Sequence, residues 1–133
     1  MRVAGTDIDV DATVKAIGLG RIGLGVGYSL FPGLALKVWP GRRASTPADD
    51  ALLRLMARST GGRDISLGLG VLFAQKHGTP VRGWLEAAML ADVADAAAIL
   101  LAIRHLPRAR AVLMLGAALG TAAAGQRLAR AVG

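Results

Sequence analysis

The sequence predicts an all-α fold, a four-helix transmembrane bundle that forms one domain over residues 1–133. Four apolar segments are separated by short polar stretches, and none alternates apolar and polar residues as a half-buried strand does. The first and fourth segments also lack the charged face that a helix of a soluble bundle carries. We expect helices at about residues 12–38, 47–77, 80–103 and 108–131.

Helix boundaries are marked by local signals between these segments. In the first segment, Pro32 is expected to end or kink the helix because proline cannot donate the next backbone hydrogen bond. Thr46 and Pro47 are typical of an N-cap and a first helical position, and two aspartates follow them in the first turn. Thr79 and Pro80 predict the same kind of start for the third helix.

Four apolar segments that together nearly lack an outward polar face favour a membrane bundle, and a soluble or oligomeric four-helix bundle is the alternative. Residues 22–36 and 111–126 carry no charge, which gives runs of 15 and 16 residues. A spanning helix needs about 20 apolar residues, so these runs suffice only if flanking side chains extend toward the membrane surface. Trp39 and Trp84 stand beside loops, where interfacial aromatic residues are expected.

Bulk composition restricts the kind of partner. The chain is 53% hydrophobic but only 4% aromatic, with a mean hydropathy of +0.48 and a net charge of +7. A basic chain can bind nucleic acid, but five aromatic residues and scattered cations are a poor match for that partner, and none is expected. With no cysteine and two histidines, we expect no metal site and no cofactor.

A glycine-rich stretch raises the question of a nucleotide site. Residues 18–23 read GLGRIG, a literal match to the dinucleotide fingerprint. That fingerprint requires a preceding strand and an acidic residue about 20 positions later, and this sequence has neither. The nucleotide interpretation is therefore rejected.

Helix packing explains these glycines better. Gly23 and Gly27 are four residues apart, as are Ala16 and Gly20, and Gly116, Gly120 and Ala124 repeat the spacing in the fourth segment. Small residues one turn apart allow helix backbones to approach closely in lipid. The sequence predicts close contacts inside the bundle at these positions; a generally Gly/Ala-rich composition is the alternative explanation.

Ionisable residues inside the apolar segments are the candidate functional residues. A charge at bilayer depth costs about 2.5–3.5 kcal/mol even on a low scale, so such side chains should face inward and pair. We expect one binding cluster between the helices, with arginines bridging the carboxylates. Its members are Arg21, Arg63, Asp64, Asp92 and Asp95. Among them, Asp92, Asp95 and Arg63 are the candidates for catalysis, and an ion-pair network that only fixes helix order is the alternative.

The chain resembles a family of small bacterial four-helix membrane proteins whose activity is not established. The stretches that carry the resemblance are GLGRIGLGVGYSLFP, RSTGGRDISLGLGVLFA and LADVADA. The most specific pieces are the Arg63–Asp64 pair followed by Gly68, and the D-x-x-D of Asp92 and Asp95. The resemblance implies four helices and a multi-pass location in the bacterial inner membrane.

Three functions remain open at this stage. The first is a membrane protein whose cluster binds a small amphipathic molecule or an ion, either as a single chain or as a homo-oligomer. The second is a membrane enzyme that uses an Asp–Arg–Asp arrangement to activate water against a lipophilic substrate. The third is a structural or assembly protein in which the cluster only stabilises the fold.

Overall fold

The computed structural model describes residues 2–3, 6–7, 9–38 and 45–132. Two short antiparallel strands come first and pair Arg2 with Asp7 and Val3 with Thr6. The other regular elements of the described residues are helices, which confirms the all-α prediction. The elements are β1 (Arg2–Val3), β2 (Thr6–Asp7), α1 (Val10–Leu30), α2 (Pro32–Val38), α3 (Pro47–Lys76), α4 (Arg82–Ala102), a 3₁₀ turn (Ile103–His105) and α5 (Arg108–Ala131). Trp39, one of the two predicted interfacial aromatic residues, lies outside the described residues.

The described part of the chain has five α-helices rather than the four expected, because the first predicted helix is broken. Phe31 leaves the helical conformation with φ −122° and ψ 54°, and its backbone N–H donates to the carbonyl of Gly27. Pro32 then begins α2. Since proline has no N–H to continue the ladder of α1, the predicted end or kink at this residue is confirmed.

The start of α3 matches its sequence signals. The Thr46 hydroxyl accepts a hydrogen bond from the backbone N–H of Asp49, and the Asp49 carboxylate accepts one from the backbone N–H of Thr46. Pro47 occupies the first helical position. This reciprocal capping box satisfies two backbone donors that a helix end would otherwise leave unpaired.

The capping box should depend on pH. Hydrogen bonds from Ser45 and then Thr46 hold the pKa of the Asp49 carboxyl below its ordinary value. A carboxyl with a lower pKa in the folded state contributes stability at neutral pH, and that contribution is lost as pH falls below about 4. We expect the protection factors of the amides in the first turn of α3, that is, their exchange rates relative to the intrinsic rates at each pH, to fall in this range. In Asp49→Asn the same protection factors should depend less on pH, and an unchanged dependence would contradict this role.

The start of α4 differs from its prediction. The helix begins at Arg82, its N-cap is Val81, and no side chain caps it. The hydroxyl of Thr79 instead donates to the carbonyl of Ala74 and so closes the end of α3. Gly78 turns the chain there with φ 64°, a conformation that favours glycine. The expected cap at Thr79 and first position at Pro80 are therefore wrong, because this threonine serves the preceding helix.

Helices α1 and α3 form a closely packed antiparallel pair through glycines. A methyl group at Gly25 would lie 2.5 Å from the carbonyl oxygen of Gly61, and one at Gly61 would lie 2.5 Å from that of Gly25. Gly18 and Gly68 face each other in the same way seven residues away on each helix. Only glycine permits backbones to approach this closely.

The glycines predicted to pack are not the ones that do. No atom outside their own helix surroundings lies within 4 Å of a methyl group placed on Gly20, Gly23, Gly27, Gly116 or Gly120. Ala16 and Ala124 are exposed as well. Residues i and i+2 of an α-helix are separated by about 200° of rotation around its axis, so Gly23 and Gly25 lie on opposite faces of α1. The expected four-residue spacing marks an outward face of the described chain, and a seven-residue spacing marks the contact.

The large buried aliphatic side chains cluster at one end of the bundle. The members of this aliphatic cluster come from all four long helices: Val14, Val71, Leu85, Leu128 and Ala129. Elsewhere large apolar side chains remain exposed, and Leu101 and Leu113 reach 87% and 73% exposure. Exposure on this scale is unusual for a soluble monomer.

One helix among the described residues is long and apolar enough to cross a membrane by length and composition: α5, Arg108–Ala131. Most of it is not buried inside the chain. Charged residues, including those of the predicted cluster, interrupt the apolar stretches of α1, α3 and α4. The structure thus supports a helical bundle with one candidate span, and the expected four spans remain a prediction.

Candidate functional site

Arg21 projects from the middle of α1 and joins three helices. Its Nη1 donates to Oδ1 of Asp64 on α3 at 2.9 Å, and its Nη2 donates to Oδ2 of Asp92 on α4 at 2.5 Å. Nη2 also donates to the carbonyl of Ala88 at 3.3 Å. The Arg21 side chain is 12% exposed, and both aspartates are buried. The guanidinium therefore pairs with two buried carboxylates at once.

A second, more accessible pair adjoins the first. Arg63 on α3 donates from Nη1 and Nη2 to the two carboxylate oxygens of Asp95 on α4, at 2.9 and 2.8 Å. Its Nη2 also lies 3.6 Å from Oδ1 of Asp64, which links the two pairs. The side chains of Arg63 and Asp95 are 33% and 45% exposed. The cluster thus has a buried half and a half that reaches the surface.

The structure brings all five predicted cluster residues together. Asp92 and Asp95 are one turn apart and lie on the same side of α4. Arg63 and Asp64 are adjacent, so their side chains diverge by about 100° around α3. This divergence directs Asp64 toward Arg21 of α1 and Arg63 toward α4.

The close glycine contacts place Arg21 opposite Asp64. Arg21 lies three residues after Gly18 and four before Gly25, and Asp64 has the same spacing from Gly61 and Gly68. The two helices are thus held together on both sides of the ion pair. Sequence reasoning missed this signal, a glycine at −3 and +4 from each charge, because it looked for glycines four residues apart.

Charge and hydrogen bonding constrain what the cluster can do chemically. When all groups are ionised, two guanidiniums face three carboxylates. Asp64, Asp92 and Asp95 each accept at least one charge-assisted bond, so none is a free base poised toward a cavity. Nε of Arg63 is buried and has no hydrogen-bond partner, the one imperfection among the described side chains of the cluster.

Two shallow grooves lie on the described surface, and the cluster residues line neither of them. The first, about 500 Å³ between α3 and α4, is lined by Ser66, Leu69, Gly70, Leu72, Phe73, Lys76 and Trp84. The second is lined by Asp11, Ala12, Lys15, Leu72, Gln75 and Lys76. Neither contains Arg63, Asp92 or Asp95, so the candidate catalytic residues do not line either groove.

Trp84 forms one wall of the first groove because Gly70 leaves room for its ring. A methyl group on Gly70 would overlap the indole directly. On the same side of α3, Arg63 lies one turn before Ser66. The groove therefore begins about one turn from Arg63, in the interior of α3, and extends to Lys76, the last residue of this helix.

Comparison of the chain with protein families, with curated proteins and with solved structures found no match.

Proposed function

We propose that this chain is a multi-pass bacterial inner-membrane protein that binds a small anionic amphipathic molecule in the groove between α3 and α4. In this proposal the Arg/Asp cluster holds together the helices that form the groove. The family resemblance described above is part of the same proposal.

The exposed surface supports the membrane location. Apolar side chains such as Leu90, Leu101 and Leu113 face outward, and α5 has the length and hydropathy of a span. Ionised side chains in the middle of the helices pair with one another, as the cost of an unpaired charge in hydrocarbon requires. Outward-facing Gly116 and Gly120 on α5 are compatible with a homo-oligomer in the bilayer.

The groove is the single observation on which the proposed ligand rests. Its walls are apolar and aromatic, as in small-molecule sites, and its volume is about 500 Å³. Lys76 supplies a cation at one end, which matches an anionic head, and Leu69, Phe73 and Trp84 match an acyl chain.

The two alternatives differ in how the cluster fits them. Its complete pairing across three helices favours the structural or assembly function, in which the ion pairs serve only to fix helix order. The enzyme function needs Asp92, Asp95 and Arg63 within reach of a substrate, and neither groove contains them.

Ligand binding can be tested with the tryptophan of the groove. The chain has two tryptophans, so Trp39→Phe leaves Trp84 as the sole reporter. In neutral detergent, a fatty acid brominated on its acyl chain should quench Trp84 fluorescence with saturation. Lys76→Gln should weaken the binding several-fold because it removes the charge partner, and Ser66→Phe should abolish it by filling the groove.

Two controls make the result specific. The brominated methyl ester, which lacks the charge, should bind more weakly, and Arg130→Gln, which removes a cation outside the groove, should bind like the parent. Linear quenching that is equal in all variants would mean simple partition into micelles and would refute the ligand. Recovery of the protein as a monomer in detergent-free buffer would refute the membrane location itself.

A further inference from the structure

The connection between α4 and α5 carries an exposed basic patch. The patch consists of Arg104, His105, Arg108 and Arg110, and all four side chains are exposed. Within the described structure none of them makes an ion pair. No aspartate or glutamate follows Asp95 in the sequence, so neither the connection nor α5 contains an acidic residue that could pair with the patch.

Carboxylates elsewhere at the same end of the bundle are already engaged. Because α1 and α4 each run antiparallel to α3, the patch lies at the end where α3 begins. The acidic residues there are Asp49, which belongs to the capping box, and Asp50, which pairs with Arg54 at 2.6 Å. The counter-ion of the patch is therefore expected to come from outside the chain.

The position of the patch at the start of the candidate span identifies the source of that counter-ion. Arg108 begins α5, and the uncharged run 111–126 follows directly. Sixteen residues of helix extend about 24 Å, less than the about 30 Å of a hydrocarbon core, so arginines at the end of the run reach the headgroup level.

Apolar neighbours distinguish a lipid surface from a soluble anion. Leu101 precedes the patch at 87% exposure, and Leu113 follows it at 73% exposure. A site for free phosphate or nucleic acid does not require exposed leucines beside its arginines. A bilayer matches both features, since its phosphates lie directly above its acyl chains.

We propose that Arg104, Arg108 and Arg110 bind the phosphate groups of anionic lipids in one leaflet. This inference rests on the proposed membrane location but is independent of the groove. A guanidinium forms two parallel hydrogen bonds with a phosphate, so three exposed arginines can hold several headgroups. The connection between α4 and α5 then lies on the leaflet that is richer in anionic lipid.

The test measures lipid binding by a charge-removal variant and a matched control. Detergent-purified protein is titrated with a fluorescent phosphatidylglycerol or with phosphatidylcholine carrying the same label. Arg104→Gln/Arg108→Gln/Arg110→Gln should bind phosphatidylglycerol at least tenfold more weakly than the parent. The control removes three exposed cations that do not flank the run 111–126, as Lys15→Gln/Arg58→Gln/Arg82→Gln, and should retain most of the affinity. The parent's preference for phosphatidylglycerol should decline with added salt.

Each contrary outcome has a distinct meaning. Equal losses in both triple variants would reduce the effect to net charge and overturn the patch. Competition by millimolar inorganic phosphate as effective as that by the lipid would identify a free-anion site instead. A change of oligomeric state in the patch variant would indicate that a second copy of the chain binds the patch.

If the protein withstands alkaline extraction from membranes while the patch variant binds lipid normally, this inference alone fails. If the protein is washed from the membrane, the proposed function fails.

Discussion

Replacing Arg21 with methionine is expected to destabilise the fold more than any other single change in the cluster. The variant leaves Asp64 and Asp92 buried without the guanidinium that joins them. Removing one partner of a buried ion pair costs about 3–5 kcal/mol, which is a large part of the stability of a small domain. We expect a much lower unfolding midpoint in detergent, measured by circular dichroism together with size-exclusion chromatography.

The control for this prediction is Arg58→Met. Arg58 is exposed and makes one long hydrogen bond, from Nε to the carbonyl of Ser29 at 3.4 Å, so its loss should change stability by less than about 0.5 kcal/mol. Adding Asp64→Asn and Asp92→Asn to Arg21→Met should restore part of the loss, because the buried carboxylates are then neutral. Equal midpoints for Arg21→Met and Arg58→Met would show that the buried pairs do not hold the helices together.

The second large effect is expected at the close approach of α1 and α3. In Gly25→Ala the added methyl would lie 2.5 Å from the carbonyl oxygen of Gly61 and 2.7 Å from Cγ1 of Ile65. In Gly61→Ala it would lie 2.5 Å from the carbonyl oxygen of Gly25 and from Oγ of Ser29. Since backbone atoms cannot yield as a flexible side chain can, the helices must separate, and overpacking of this kind costs about 1–3 kcal/mol.

Neighbouring glycines provide controls of opposite sign. A methyl group on Gly23 or Gly62 meets nothing within 4 Å. Replacing an unhindered glycine inside a helix with alanine stabilises it by about 0.5–1 kcal/mol. Gly23→Ala and Gly62→Ala should therefore raise the unfolding midpoint, whereas Gly25→Ala and Gly61→Ala should lower it. A uniform shift of all four variants would exclude the seven-residue glycine contact.

Loss of the glycine contact should also weaken the ion pair. Arg21 and Asp64 lie between the two facing glycine pairs, so separation of α1 from α3 lengthens the 2.9 Å bond between them. Helix packing and charge pairing are therefore coupled, and effects of Gly25→Ala and Arg21→Met should not be additive in the double variant. This coupling explains how a chain with a small aliphatic core can position three helices.

Features set by neighbours in sequence were predictable without coordinates. The N-cap at Thr46 and the break at Pro32 depend on residues within one turn, and both were predicted. The membership of the Arg/Asp cluster was also predictable, because charges inside apolar segments must find opposite charges wherever the helices lie. The start of α4 was not, because the Thr79 hydroxyl had two helix ends within reach.

The choice of partners was decided by tertiary structure. Sequence spacing alone could not say that Arg21 takes Asp64 and Asp92 while Arg63 takes Asp95, since that depends on the rotation of each helix and on the register between helices. The face of α1 that packs was also open, because glycines lie on both sides of it. The amino-acid sequence by itself determined the helical class of the chain, the break at Pro32 and the membership of the charged cluster. Backbone contacts at Gly25–Gly61 and Gly18–Gly68, between residues 36 and 50 positions apart in the sequence, decided which charges pair. At these positions the absence of a side chain permits the close approach that fixes the register between α1 and α3.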